Sequence, residues 1–346
     1  MNPDVTIAID AGGTFLKGAV VLSDGNLLPQ LYVKRSSRSD SGANEIASNL
    51  VDVIQELAAA YIDYVQQLSS VKGTRASFPN FHIGFAFPGP FEYETGISHI
   101  QGLNKYEQLY EVNLKTLLRS ELTALAAERN SPTWMTRLAA ADIRFDNDAA
   151  LFALGVSRLF PQERLLCLTL GTGLGSAFVE NRSIVSGKWG IPDSGMLYAE
   201  QYKGGTVDDL FGSRGILALA DSHDARREGE DVYHLAIAAR QGNSSAIRVW
   251  QLYGQRLGEM LHPYVAAFRP SCLILGGQIA DTQDLFGGTL LEALLPAKIS
   301  LHVEKPMQEH VFHGIFELVK GTYSTTKGEN NDDTRTTNQR GRDPDA

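Results

Sequence analysis

The sequence predicts an α/β fold of two similar halves with a cleft between them, and three observations carry that prediction. Val5-Thr6-Ile7-Ala8-Ile9-Asp10 is followed by Ala11-Gly12-Gly13-Thr14, an apolar run from Phe15 to Leu22, and the polar turn Ser23-Asp24-Gly25-Asn26. The run Leu165 to Leu170 is followed by Gly171-Thr172-Gly173-Leu174-Gly175, a second run to Val179, and Glu180-Asn181-Arg182, so one plan occurs twice. Around these units, short apolar runs alternate with helical periodicity, as expected of helices covering a mixed sheet. Third, the late run Cys272-Leu273-Ile274-Leu275 ends in Gly276-Gly277. A Gly/Thr turn at a strand end offers backbone N–H groups and a hydroxyl, with no Cβ to block an anion. One such turn alone reads better as an ordinary tight turn. Two in matching contexts predict two phosphate-holding jaws around one nucleotide.

The elements follow in order. The polar stretch from Lys34 to Gly42 separates the first hairpin from a helix. There Ile46, Leu50, Val53, Ile54, Leu57, Tyr61, Ile62, Val65 and Leu68 recur at three- and four-residue spacing, predicting a helix from about Ala43 to Leu68. Phe81 to Phe87 reads as a strand closed by Pro88-Gly89-Pro90, Asn113 to Arg129 as a helix, and Ile143-Arg144-Phe145 as a strand. Asp148 begins a helix containing Leu151, Phe152 and Leu154. In the second half an irregular glycine-rich segment runs from Gly187 to Gly215, and a helix from Ala246 to Phe268 is broken or bent near His262-Pro263. The expected division is a first domain over 1–145, a second over 146–321, and a disordered polar tail over 322–346.

With 346 residues the chain is long enough for two domains with separate cores. Hydrophobic content of 43% and charged content of 21% belong to a soluble globular protein, and a net charge of −9 attracts neither nucleic acid nor an anionic membrane. Any phosphate must therefore be held by local N–H groups, a metal ion and a few cations. Cys167 and Cys272 each sit in an apolar run and read as small packed hydrophobes. No apolar run approaches the ~20 residues that cross a bilayer. The first strand begins within a few residues of Met1, so neither a secretory leader nor a preceding domain is expected, and the expected location is cytoplasmic. His99 and His262 show no ligand spacing and read as structural or surface groups.

In order along the chain stand Asp10-Ala11-Gly12-Gly13-Thr14 with Lys17, Phe85-Ala86-Phe87-Pro88-Gly89-Pro90, Asn147-Asp148-Ala149 followed by Ala153-Leu154-Gly155, Leu170-Gly171-Thr172-Gly173-Leu174-Gly175, and Leu275-Gly276-Gly277. This ordered set resembles the ROK family of sugar kinases, within the actin/hexokinase/Hsp70 ATPase superfamily, over roughly Val5 to Val319. The resemblance implies two actin-like (ribonuclease H-like) ATPase domains with a nucleotide and sugar cleft between them. It makes Gly12, Gly13 and Thr14 one side of a polyphosphate cradle, Gly171, Thr172 and Gly173 the other, and Gly276 and Gly277 the place where adenosine meets backbone. Lys17 either neutralises phosphate charge or is a solvated strand lysine. Asp10 resembles the carboxylate that positions nucleotide-bound Mg²⁺ through water, and one carboxylate suffices for a cation that keeps most of its waters.

Asp148 is the expected catalytic base, because phosphoryl transfer to an alcohol needs a carboxylate to take the hydroxyl proton. An aspartate at a helix start is as readily explained as an N-cap, and position alone leaves both readings open. Asn147 and the Pro88-Gly89 turn resemble the family's sugar-binding segments. Asn104 is the nearest candidate for a further sugar ligand, a surface turn being the alternative. Asp208 falls where the family places a sugar-binding glutamate, although a helix-start aspartate explains it equally well.

The main departure lies between Gly187 and Gly215. Many members carry there a Gly-Glu-x-Gly-His segment and a cysteine-rich zinc element. This chain has Asp193-Ser194-Gly195-Met196 and Lys203-Gly204-Gly205-Thr206-Val207-Asp208-Asp209, with no cysteine or histidine, so no zinc site is expected. The implied function is transfer of the γ-phosphoryl group of ATP, with Mg²⁺, to a hexose such as glucose, at the 6-hydroxyl. Two alternatives remain: a polyphosphate-dependent glucokinase-like enzyme, which the second turn with Ser176 also resembles, and a non-catalytic sugar sensor. The family's repressors carry an N-terminal helix-turn-helix, which is not expected here because Asp10 lies so near the start. A homodimer is the family's usual arrangement, but spacing shows no interface.

Overall fold

The computed structural model describes residues 3–72, 78–321 and 325–327. The first half comprises β1 (Asp4–Ala11), β2 (Phe15–Leu22), β3 (Leu27–Ser36), α1 (Ala43–Lys72), β4 (Asn80–Ala86), the small hairpin β5 (Phe91–Glu92) and β6 (Ile97–Ser98), α2 (Leu114–Ala126), α3 (Thr133–Ala139) and β7 (Asp142–Asp146). Then come α4 (Asp148–Val156), β8 (Arg164–Leu170), β9 (Leu174–Glu180), β10 (Ser183–Ser186), β11 (Gln201–Tyr202), β12 (Gly205–Thr206), α5 (Val207–Phe211) and α6 (Ser213–Asp221). The chain continues with α7 (Val232–Arg240), α8 (Ser244–Phe268), β13 (Cys272–Gly276), α9 (Gln283–Ala293), β14 (Ser300–Val303), α10 (Met307–Lys320) and β15 (Thr325–Lys327).

The two sheets repeat one strand order. The first runs β3-β2-β1-β4-β7, the second β10-β9-β8-β13-β14 with β15 beyond β10. In each, an antiparallel meander is extended by two parallel strands: β1 pairs with β4 and β4 with β7, as β8 pairs with β13 and β13 with β14. The predicted pair of α/β halves is therefore what forms.

Strand alternation decides which helices cover each face. Val5, Ile7 and Ile9 of β1 join the core under α1, α2 and α3, whereas Ala8 joins a middle core with Ala150, Phe152, Val311 and Ile315. In the second sheet Leu166, Leu168 and Leu170 pack under α6 to α9, whereas Leu165 and Cys167 face that middle layer. The middle layer is α4 and α10, and every residue from Ala149 to Val156 is buried, as expected of a helix that is apolar all round. α10 packs on both α4 and the first sheet, so the last described helix returns to the first half. Cys167 and Cys272 are unpaired and buried, consistent with packing as hydrophobes.

Some boundaries differ from expectation. Lys34 to Ser36 belong to β3, because an edge strand accepts charged residues on its exposed positions. α8 runs through Pro263 as one helix. The segment expected to be a disordered tail contains Thr325–Lys327, paired parallel with Ile184 to Ser186, and the remainder of 322–346 lies outside the described residues. Among the described residues, no helix is long and apolar enough to cross a membrane.

Candidate active site

The first glycine turn joins β1 to β2. Gly12 N–H donates to the Phe15 carbonyl at 3.1 Å, closing the turn. The hydroxyls of Ser37 and Ser39 both donate to the Gly13 carbonyl at 2.5 Å, and Tyr106 Oη donates to the Gly12 carbonyl at 2.9 Å. These bonds hold the carbonyls on the protein side. Among the described residues the N–H groups of Gly13 and Thr14 have no intramolecular acceptor. The second turn repeats the arrangement: Gly171 N–H donates to the Gly173 carbonyl at 3.0 Å, and the N–H groups of Thr172 and Gly173 have no acceptor among the described residues. Paired free N–H groups on a Cβ-free turn are what an anion requires.

Both hairpins converge on the first turn of α4. A Cβ on Gly175, in the strand leaving the second turn, would lie 2.7 Å from Cβ of Ala149. On the other side, the Asp10 carboxylate at the end of β1 is near enough to act electrostatically on Asp148. Asp148 is half-buried at this junction. Burial pushes its carboxyl above the ordinary carboxylate range and the Asp10 charge pushes it further, while Lys105 and the Ala149 N–H pull it back. The N-cap is Asn147, not Asp148. The Asn147 side-chain oxygen accepts from Ala149 N–H at 2.9 Å and from Ala150 N–H at 3.3 Å, which leaves Asp148 as the first helical residue.

The expected sugar residues are partly brought together. Asn147 Nδ2 donates to Tyr93 Oη at 3.3 Å, and Tyr93 Oη donates to the Phe87 carbonyl at 3.2 Å, beside the Pro88-Gly89 turn. A Cβ on Gly89 would lie 3.1 Å from that phenol oxygen. Burial, and then the carboxylates of Asp148 and Asp146, hold the Tyr93 phenol far above its usual range, so it stays a neutral hydroxyl. Asn104 is exposed in a left-handed turn, its N–H bonded to Glu107. Asp208 stands against the second turn: its Oδ1 accepts from Leu174 N–H at 2.9 Å and occupies the space a Cβ on Gly173 would need. It braces the second turn from behind.

Lys17 is already partnered. Its ammonium lies 2.6 Å from Gln308 Oε1 on α10 and 3.4 Å from Asp10 Oδ2. Gly276 and Gly277 sit against neighbours that leave no room for side chains, Gly276 on the Phe152 ring and Gly277, at φ +89°, on the Leu170 backbone. Asp10, with a side chain 17% exposed and one oxygen turned to Lys17, fits the single-carboxylate arrangement of a hydrated Mg²⁺. Among the described residues no three His, Cys, Asp or Glu side chains converge on a possible metal position.

Sequence reading missed Tyr93, Lys105, Ser37, Ser39 and Tyr106. Only their places in polar loops flanking the named motifs could have pointed to them.

The family model for ROK matches residues 135–313, about half of the chain. The chain belongs to the ROK family. Among relatives of this ROK chain, a glucokinase of Thermotoga maritima is 25% identical over 316 residues, covering 84% of this chain and 86% of the relative. An N-acetyl-D-glucosamine kinase of Haemophilus influenzae is 23% identical over 337 residues, covering 90% and 96%. A solved ROK family glucokinase from Streptomyces griseus, in complex with glucose and AMPPNP, aligns at a TM-score of 0.63 and 17% identity over 92% of this chain and 99% of its own. That likeness shows the fold.

Proposed function

We propose that this ROK chain transfers the γ-phosphoryl group of ATP to a hydroxyl of a hexose, with the 6-hydroxyl as acceptor and Asp148 as general base. The observation that carries this reading is that the two hairpins whose turns hold free N–H groups both meet the first turn of α4, where Asp148 stands. Gly13, Thr14, Thr172 and Gly173 would bind phosphate oxygens through backbone, with no cationic patch required. Asp10 would hold Mg²⁺ through water, and the ion, when bound with the nucleotide, neutralises phosphate charge. Asp148 would take the hydroxyl proton, and a carboxylate raised above its ordinary range is the stronger base for it. Tyr93 and Asn147 form a neutral polar wall beside that position, suited to a polyol. The two relatives, a glucokinase and an N-acetyl-D-glucosamine kinase, support a hexose or hexose-derived substrate class. A cytoplasmic location and a homodimer belong to the same proposal.

A coupled assay over a panel of hexoses and N-acetylhexosamines, with Mg-ATP and with polyphosphate as donors, tests it. Turnover of one hexose with ATP is the expected result, and preference for polyphosphate would reassign the donor. No transfer to any sugar, with sugar binding retained, would instead favour the sensor. The absence of the family's Glu/His pair between Gly187 and Gly215 is the observation on that side.

Asp208 separates two roles. Replacing it by Ala removes the acceptor for Leu174 N–H and loosens the second turn. The expected outcome is a rise in KM for ATP of about tenfold, equivalent to ~1.4 kcal/mol, with KM for sugar unchanged. Steady-state kinetics with each substrate varied in turn checks this, and a rise confined to the sugar KM would restore Asp208 as a sugar ligand.

A further inference from the structure

The transfer step needs a cation near the moving phosphoryl group, and the lysine picked out by its motif is not available for it. Lys17 is tied to Gln308 and Asp10. Lys105 is different. It is half-buried, yet among the described residues its ammonium has no hydrogen bond and no ion pair within 4 Å. Its stem lies across the first turn: a Cβ on Gly13 would be 3.0 Å from Lys105 Cδ and 3.5 Å from its Cβ. The missing Gly13 side chain is the space this stem occupies.

The loop carrying Lys105 is fixed on both sides. Asn104 and Tyr106 are both left-handed, at φ 53° and 57°. Asn104 N–H bonds Glu107, Tyr106 N–H donates to the Ser39 carbonyl at 2.6 Å, and Tyr106 Oη donates to the Gly12 carbonyl. A long side chain is thus anchored by its stem while its head reaches past Gly13, near enough to Asp148 for the charge to be felt there. With its stem against the phosphate turn and its charge felt at the base, this side chain borders the path by which phosphorus would pass from donor to acceptor.

We propose that Lys105 is the catalytic cation of the transfer step, its ammonium holding the γ-phosphoryl oxygens while phosphorus moves from nucleotide to sugar. The inference rests on the kinase reading above. In the step, the sugar oxygen bonds to the γ-phosphorus, and the bond from phosphorus to the β–γ bridging oxygen breaks with its electron pair leaving on ADP. The hydroxyl proton goes to Asp148. Among the described residues Lys105 is a side-chain cation placed against Gly13 and acting on Asp148, and a positioned cation of this kind typically contributes 10²- to 10³-fold or more in rate.

The test compares wild type, Lys105→Met, Lys105→Ala, Lys105→Arg and Asp148→Asn, with folding checked by circular dichroism and sugar affinity by calorimetry. Lys105→Met is expected to lower kcat about 100-fold or more with sugar Kd unchanged, and Lys105→Arg to retain more activity than Lys105→Met. Added ethylammonium should restore several-fold activity to Lys105→Ala and none to Asp148→Asn. A kcat within threefold of wild type in Lys105→Met, or a loss appearing wholly in sugar Kd, overturns the proposal while leaving the kinase reading intact. Wild type inactive on every sugar and donor overturns both.

Discussion

Replacing Asp148 by Asn is expected to lower kcat by about 10²- to 10⁴-fold, the usual contribution of a positioned general base, while nucleotide and sugar affinities stay close to wild type. The amide keeps the size of the side chain and the oxygen that accepts from Ala149 N–H at 3.0 Å. What it loses is the ability to accept the sugar proton. The same change should raise Tm. Burial and the Asp10 charge lift the folded-state pKa of Asp148 above its ordinary value of 3.8. For a carboxyl shifted upward, the favourable contribution to folding is complete below that value and is lost as pH rises through the folded pKa. Above pH 3.8, where the unfolded chain ionises this carboxyl more readily than the folded protein does, the raised pKa therefore opposes folding, and a neutral isostere removes that opposition. The gain in Tm over wild type should be present at pH 7 and shrink as the pH falls toward 3.8. Thermal unfolding of both proteins across that range, beside single-turnover kinetics, reads both effects. A variant with wild-type turnover would remove Asp148 from the role of base, and one less stable than wild type at pH 7 would overturn the upward shift of its pKa.

What was legible in the sequence was local. Each hairpin announced itself by a strand, a Gly/Thr turn and a strand in immediate succession, and the start of α4 by polar residues before an apolar run. Even there the local pattern was ambiguous: Asn147 and Asp148 are both good caps, and only three-dimensional placement shows that Asn147 takes Ala149 and Ala150 N–H. The residues that finish the site act through space. Ser37 and Ser39 reach Gly13 from 24 and 26 residues away, and Tyr106 reaches Gly12 from 94. Gln308 occupies Lys17 across 291 residues. No spacing rule reports such pairs. Asp208 shows the same limit from the other side, since no local pattern reports that its carboxylate accepts from Leu174 N–H, 34 residues away. The return of α10 to the first sheet was equally hidden, because its amphipathic pattern does not say which sheet it will cover.

That return makes the second large effect predictable. α4 and α10 touch through reciprocal glycines: a Cβ on Gly155 would lie 1.8 Å from the His310 carbonyl oxygen, and one on Gly314 would lie 1.9 Å from the Leu151 carbonyl oxygen. Each obstacle is helix backbone, so no rotamer change relieves it. Gly→Ala in a helix interior normally gains up to ~1 kcal/mol, since alanine is the better helix former. Here the helices would have to part, and both are wedged between two sheets, so the gap would propagate through the shared core of Phe152, Val311 and Ile315. Overpacking of this kind costs about 3 kcal/mol or more, which outweighs the propensity gain. Gly155→Ala and Gly314→Ala should each lower Tm by roughly 4–8 °C or more. Gly288→Ala is the matched control, because in α9 its Cβ would meet nothing within 4 Å. There only the propensity term acts, and Tm should rise by about 1–2 °C. Thermal denaturation of the three variants decides the matter. If Gly155→Ala behaved like Gly288→Ala, α4 and α10 would not be in backbone contact, and the link they form between the two sheets would have to be redrawn.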